Sequence, residues 1–226
     1  SKETASTQED ESKKTDEEVE TKEDKDTPES LVFYVTDEQQ QSQYINLFKE
    51  EEKDAIILTH NIDQPFITHL EQMESKYKFQ RIDADITKDF KDGDEKDLQE
   101  EKDQLSELFR KELNNENLKV EVMNLKNDKI ASMITLSEES RRMQDMMKMY
   151  SLGGMDPSMM GSDETLVLNA KNNLVQYILD NKDGKHVPII CQQLYDLAMI
   201  GHKPLDPNSL TKFIARSNEI LELLAE

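Results

Sequence analysis

Glycine is scarce in this chain, and scarcest where nucleotide chemistry would need it: there are six glycines and none precedes Gly93. A phosphate cradle between a strand and a helix requires a glycine-rich turn, so the first part of the chain is expected to hold no nucleotide. Cysteine is nearly absent too. The single Cys191 excludes an internal disulfide framework and fits a reducing compartment. No apolar run approaches the ~18 residues of a membrane span, and no secretory signal opens the chain, so a cytoplasmic location is expected. Positive charge is short as well: 28 Lys and Arg face 49 Asp and Glu, for a net charge of −21. That balance argues against nucleic acid, whose phosphates call for cations, and against anionic membrane surfaces. The chain opens on Ser1 rather than Met, as a piece of a longer protein would.

What is abundant is acid, methionine and helix-spaced apolar residues. Residues 1–30 carry twelve acidic side chains and five lysines, with only Ala5 and Val19 as apolar side chains. Such a segment cannot bury enough surface to offset the entropy of ordering, and it is expected to be a disordered acidic stretch.

Folded sequence begins at Leu31. The run Leu31–Thr36 reads as a buried strand, and Asp37 can cap a helix carrying Tyr44, Ile45 and Phe48. Ala55–Thr59 repeats the strand signature. Asp63 can cap the next helix, with Pro65 in its first turn and Phe66, Ile67 and Leu70 at apolar spacing. Tyr77–Ile82 alternates as a third strand. This βαβαβ order predicts a small parallel sheet over residues 31–90.

Residues that invite catalysis or metal binding are sparse. His60, Asp63 and His69 match no compact ligand spacing, and Asp63 has a capping role, so no metal site is expected. Cys191 lies among apolar neighbours and reads as packing. No nucleophile, base and acid arrangement is legible, and no residue is assigned to catalysis.

Gly93 marks the expected boundary to a second unit over residues 91–226, an α+β domain. It opens with a long helix from about Glu95 to Leu113, striped by Leu98, Leu105, Leu108, Phe109 and Leu113. Leu118–Val122 and Ile130–Leu136, joined through Asn127-Asp128, predict a β-hairpin. Thr165–Leu168 adds the third strand, and Asn169 is expected to cap a helix that Gly184 stops. Between these strands lies the methionine-rich stretch Ser137–Met160, with seven of the chain's eleven methionines. As a helix it puts Met143, Met146, Met147 and Tyr150 at i, i+3, i+4 and i+7, with Met149 at the border. A face with methionine and no Leu, Ile or Val suits a surface that accepts many partners, since methionine is unbranched and adaptable. The competing reading is an ordinary core-facing amphipathic helix.

Two helices close the chain. Pro188 starts one, carrying Ile190, Leu194 and Leu197 and expected to end at Gly201. Asp206-Pro207 opens the other, with Leu210, Phe213, Ile214, Ile220, Leu221 and Leu224 in the three-four alternation of a helical seam. The short link makes them an antiparallel hairpin. Its stripes either pack on the sheet of the same chain or pair with a second copy as a four-helix dimer interface, the sharper expectation.

The segments LVFYVTDEQ, ILTHNIDQPFITHLE, SRRMQDMMKMY and ETLVLN, with the terminal helices, resemble the end of the bacterial ninety-kilodalton heat-shock chaperone family. The resemblance covers about Leu31 to Glu226. It implies that residues 31–90 end a middle domain and that residues 91–226 form a C-terminal domain for homodimerisation and binding of unfolded clients. The family's client-contacting positions match Met146 and Tyr150. A further aromatic contact falls at Pro65, beside Phe66. The family's usual His-Pro ahead of Leu174-Val175 is Asn172-Asn173 here, expected to loosen that turn. ATP and Mg are implied only for the parent's N-terminal domain, with no cofactor in this segment. The alternative to a client-holding chaperone segment is a stand-alone dimeric adaptor that binds one partner helix through the Met-rich helix.

Overall fold

The computed structural model describes residues 30–60, 62–74, 76–84, 90–92, 98–140, 142–143 and 164–225. The expected acidic segment, apart from Ser30, lies outside the described residues, as do Met146, Met147, Met149 and Tyr150. The protein is mixed α/β, with two small sheets of three strands each among the described residues.

The first sheet has the order the sequence predicts, although the strand expected over Ala55–Thr59 shrinks to two exposed residues. Strands β1 (Ser30–Val35), β2 (Ile56–Ile57) and β3 (Tyr77–Arg81) alternate with helices α1 (Ser42–Glu50) and α2 (Asp63–Met73). Their order is β2-β1-β3, and both pairings are parallel, which needs the helical crossovers that α1 and α2 supply. The capping details differ. The Asp37 carboxylate accepts the N–H groups of Gln39 and Gln40, so it stabilises the turn before α1, whose own N-cap is Gln41. Asp63 already lies in the first turn of α2, and its carboxylate reaches back to the His60 N–H at 2.9 Å.

The second unit begins with α3 (Gln99–Leu113), later than the expected Glu95, because Leu98 is its non-helical N-cap. Its Leu105 and Phe109 are buried, and Asn114 closes it in the left-handed conformation (φ 49°) that asparagine tolerates. Strands β4 (Lys119–Met123), β5 (Ser132–Leu136) and β6 (Glu164–Asn169) make the second sheet. The expected hairpin does not form. The strand order is β4-β6-β5, with β6 parallel to β4 and antiparallel to β5. The reason lies at Asn169, the fully buried last residue of β6. Its amide accepts the Leu125 N–H and donates to the carbonyls of Asn127 and Ile130, so it fills the link between β4 and β5 and holds them apart. Asn169 therefore does not cap the next helix. Asn172 does, accepting the Leu174 N–H at 2.9 Å and donating to the Asp128 carbonyl at 2.8 Å, which ties down the turn expected to be loose.

Helices α4 (Asn173–Asp180), α5 (Val187–His202) and α6 (Pro207–Ala225) follow. Gly201 does not end α5. It sits inside the last turn, which runs on to His202, and an added side chain there would meet only the flexible end of Gln43. Alternation along the second sheet feeds two cores. Ile134, Leu166 and Leu168 pack with Phe109, Val175, Ile178, Cys191 and Leu194 from the helices. Met133 and Val167 point the other way, onto Tyr44, Leu47 and Phe48 of α1. Helix α1 thus serves both sheets, with the Tyr44 hydroxyl donating to the Ile134 carbonyl. Phe90, at the expected boundary, is itself part of this shared packing.

Candidate functional site

Among the described residues a broad open apolar surface lies on the closing helices. Helix α6 is 19 residues long and contributes no buried residue. Asp206 caps it through the N–H groups of Asn208 and Ser209. Its ties to α5 are polar: Arg216 donates to the Gln193 side chain at 2.8 Å and pairs with Asp196, and Gln193 donates to Ser217 at 3.1 Å. Its apolar positions are left open. Leu210, Ile214, Leu221 and Leu224 are exposed, Leu224 to 79 %, and Phe213 and Ile220 are half-buried. Beside them a groove of about 550 Å³ runs between α4, α5 and α6, lined by Leu174, Tyr177, Ile190, Leu197, Ile220, Leu223 and Leu224.

The residues expected at a dimer seam therefore separate into two groups. Leu194 is buried in the chain's own core, with Ile190 packed against it, and both reach only the floor of the groove. Leu197, Leu210, Ile214, Leu221 and Leu224 present exposed side chains, and Phe213 and Ile220 half-buried ones.

A second apolar surface lies on α2. Phe66 is 60 % exposed, and Ile62 and Met73 more so; neither Ile62 nor Met73 stood out in the sequence, because each is isolated among polar neighbours. Met143 is also exposed, and it follows a residue that is firmly held. The Arg142 guanidinium grips the Glu71 carboxylate of α2 with two hydrogen bonds, 2.5 and 3.0 Å long. It donates further to the Phe79 carbonyl and to Glu138, each at 3.0 Å. Burial pushes the Glu71 carboxyl up, but the Arg142 fork and the Phe79 N–H outweigh it and hold the group below the usual carboxylate range.

A buried polar cluster joins the two units at the end of α5. His202 lies between Asp83, just past β3, and Glu164 of β6, with each imidazole nitrogen 3.9 Å from a carboxylate oxygen. Asp83 is held by Arg81 and Glu164 by Lys203, so two carboxylates and two cations already balance. Burial holds the imidazole neutral, with its pKa pushed down to about 4. No sequence pattern announces this cluster, because its members come from three distant elements.

Nothing at these sites resembles a metal centre: among the described residues no group of three or more His, Cys, Asp or Glu could hold an ion. His60 is largely exposed beside Asp63, and Cys191 is fully buried. Among the described residues no helix is long and apolar enough to cross a membrane. The chain matches no protein-family model, and no curated protein matches it significantly.

Proposed function

We propose that this chain is a homodimerising, client-holding segment of an ATP-driven chaperone of the ninety-kilodalton heat-shock kind, working in the cytoplasm on unfolded or partly folded proteins. The observation that carries the reading is the open apolar side of α6, where Leu210, Ile214, Leu221 and Leu224 face no neighbour of their own chain closely enough to be buried. Burying each such side chain is worth roughly 1.5–3 kcal/mol, so several together favour pairing with a second copy into a four-helix seam. The exposed Phe66 and Met143, with the methionine spacing of residues 143–150, support a surface for apolar segments of clients. In this reading ATP and Mg act in another part of the parent chain, and no residue here performs hydrolysis.

Light scattering on the 226-residue chain tests the first half. Twice the chain mass is expected, and Leu221→Asp should give monomers; a wild-type monomer at high micromolar concentration would overturn it. For the second half, changing Met146 and Tyr150 together to Ser should weaken binding of an unfolded protein by on the order of 1–3 kcal/mol while leaving melting nearly unchanged. A large fall in melting temperature with client affinity intact would mean that these side chains are packing.

A further inference from the structure

The groove beside α6 and the open stripe of α6 are two apolar surfaces on different sides of one helix. Ile220 and Leu223 line the groove, whereas Leu210, Ile214 and Leu221 point roughly 130° away round the helix, at about 100° per residue. Leu224 stands between the two directions. One copy of α6 therefore cannot lay its own stripe in its own groove, but the same stripe on another copy can enter it. The far wall of the groove is Leu174 and Tyr177 of α4, both exposed and both outside the closing hairpin. Its mouth carries Lys185 and His186, and among the described residues no acid lines it, in a chain whose net charge is −21.

An occupant matched to this groove is apolar with a carboxylate at its edge. Helix α6 supplies both, in the exposed Leu221 and, one residue on, the exposed Glu222 at the flank of the stripe. Neither Lys185 nor Glu222 takes part in an ion pair among the described residues. We propose that a second copy of this chain seats the Leu221 side of its α6 in the groove, against Leu174 and Tyr177, with its Glu222 at Lys185. The first copy's α6 enters the partner's groove in return. The inference rests on the homodimer reading above and adds α4 to the interface, which that reading draws from the closing hairpin alone. Twofold symmetry makes the exchange reciprocal, so stripe and groove are covered together on both copies. An exposed ion pair at the mouth adds little affinity and instead fixes which way the helices cross.

Sedimentation equilibrium on the full 226-residue chain reads the dimer dissociation constant. Tyr177→Asp and Leu174→Asp should each raise it about tenfold or more. Leu174 lies in the first turn of α4, where an acid suits the helix, so that variant keeps its fold even if the other does not. Circular dichroism of each variant checks the fold. At low salt Lys185→Glu and Glu222→Lys should each weaken the dimer about threefold, and the two together should restore it. A wild type that stays monomeric at high micromolar concentration overturns the homodimer reading and this inference with it. Two outcomes overturn this inference alone in a wild type that Leu221→Asp makes monomeric. One is folded Tyr177→Asp and Leu174→Asp chains that dimerise within about twofold of wild type, which would leave the groove to another occupant. The other is a double charge reversal no tighter than either single change.

Discussion

The Nδ1 atom of His202, in the last turn of α5, lies 3.9 Å from Oδ2 of Asp83, and both side chains are almost wholly withdrawn from water. Nδ1 has no hydrogen-bond partner among the described residues. With Arg81 on Asp83 and Lys203 on Glu164, a proton on His202 would add an unbalanced charge to a largely buried junction.

Stability should therefore fall in mild acid. Burial lowers the His202 pKa from 6.5 to about 4, with Arg81 and Lys203 reinforcing the shift and Asp83 and Glu164 opposing it. Above pH 6.5 neither the folded nor the unfolded chain binds this proton, and the full stability is present. Between 6.5 and about 4 the unfolded chain binds a proton that the folded one refuses, so stability is lost as pH falls. The loss is on the order of 3 kcal/mol. Urea melts of the wild type and His202→Gln across this range should converge toward acid; parallel curves would exclude His202 as the titrating group.

Asn169→Ala should be among the most damaging single changes. It strands the buried N–H of Leu125 and the part-buried carbonyls of Asn127 and Ile130. Unsatisfied buried groups cost about 1–3 kcal/mol each, and local rearrangement recovers part, so a loss of roughly 3 kcal/mol is expected. A loss below about 1 kcal/mol in denaturant melts would show that water replaces the amide without strain.

Leu194 and Leu221 should respond oppositely although both belong to the same hairpin. Leu194→Ala opens a cavity in the core and should cost about 2–5 kcal/mol of folding stability. Leu221 is 63 % exposed, so Leu221→Ala should leave folding within about 0.5 kcal/mol and act only on self-association. Melts at several protein concentrations separate the two effects.

Cys191 should resist thiol reagents in the native state. Burial first, and Glu112 second, push its thiol up to about 12, and the side chain is fully enclosed. Labelling by a disulfide reagent at pH 8 should proceed at the rate of unfolding and accelerate with urea. Rapid stoichiometric labelling without denaturant would contradict the packing.

The parallel βαβαβ order was readable because the first two strands are apolar runs, the third alternates, and each helix has an apolar stripe. In α1, though, it is Leu47 rather than Ile45 that joins Tyr44 and Phe48 in the core. Local period was enough. Pairing was not: Asn127-Asp128 looks like a hairpin turn, and only Asn169, far along the chain, decides that β6 enters between β4 and β5. Helix ends failed for the same reason. Gly201 reads as a stop, yet α5 runs on to His202, whose imidazole is buried between Asp83 and Glu164 of distant elements.

The candidate surfaces divide similarly. The apolar stripe of α6 was legible from spacing, but not which members of the hairpin serve the core, since Leu194 and Leu197 belong to one periodic pattern and differ only in what stands opposite. The Arg142 clamp and the His202 cluster carry no sequence signature, because charged residues are common throughout a chain this acidic.

The register of β5 and β6 has a consequence for how this protein can change. Leu136 and Glu164 are directly paired, so the sequence between them departs from and returns to one point on a closed frame. Lengthening such an excursion costs little, about 0.6 kcal/mol for each doubling. New residues could be inserted or exchanged there while both flanking strands keep their partners. A change in the length of that connection can thus leave the pairing of both strands intact, much as one chuck holds bits of different lengths.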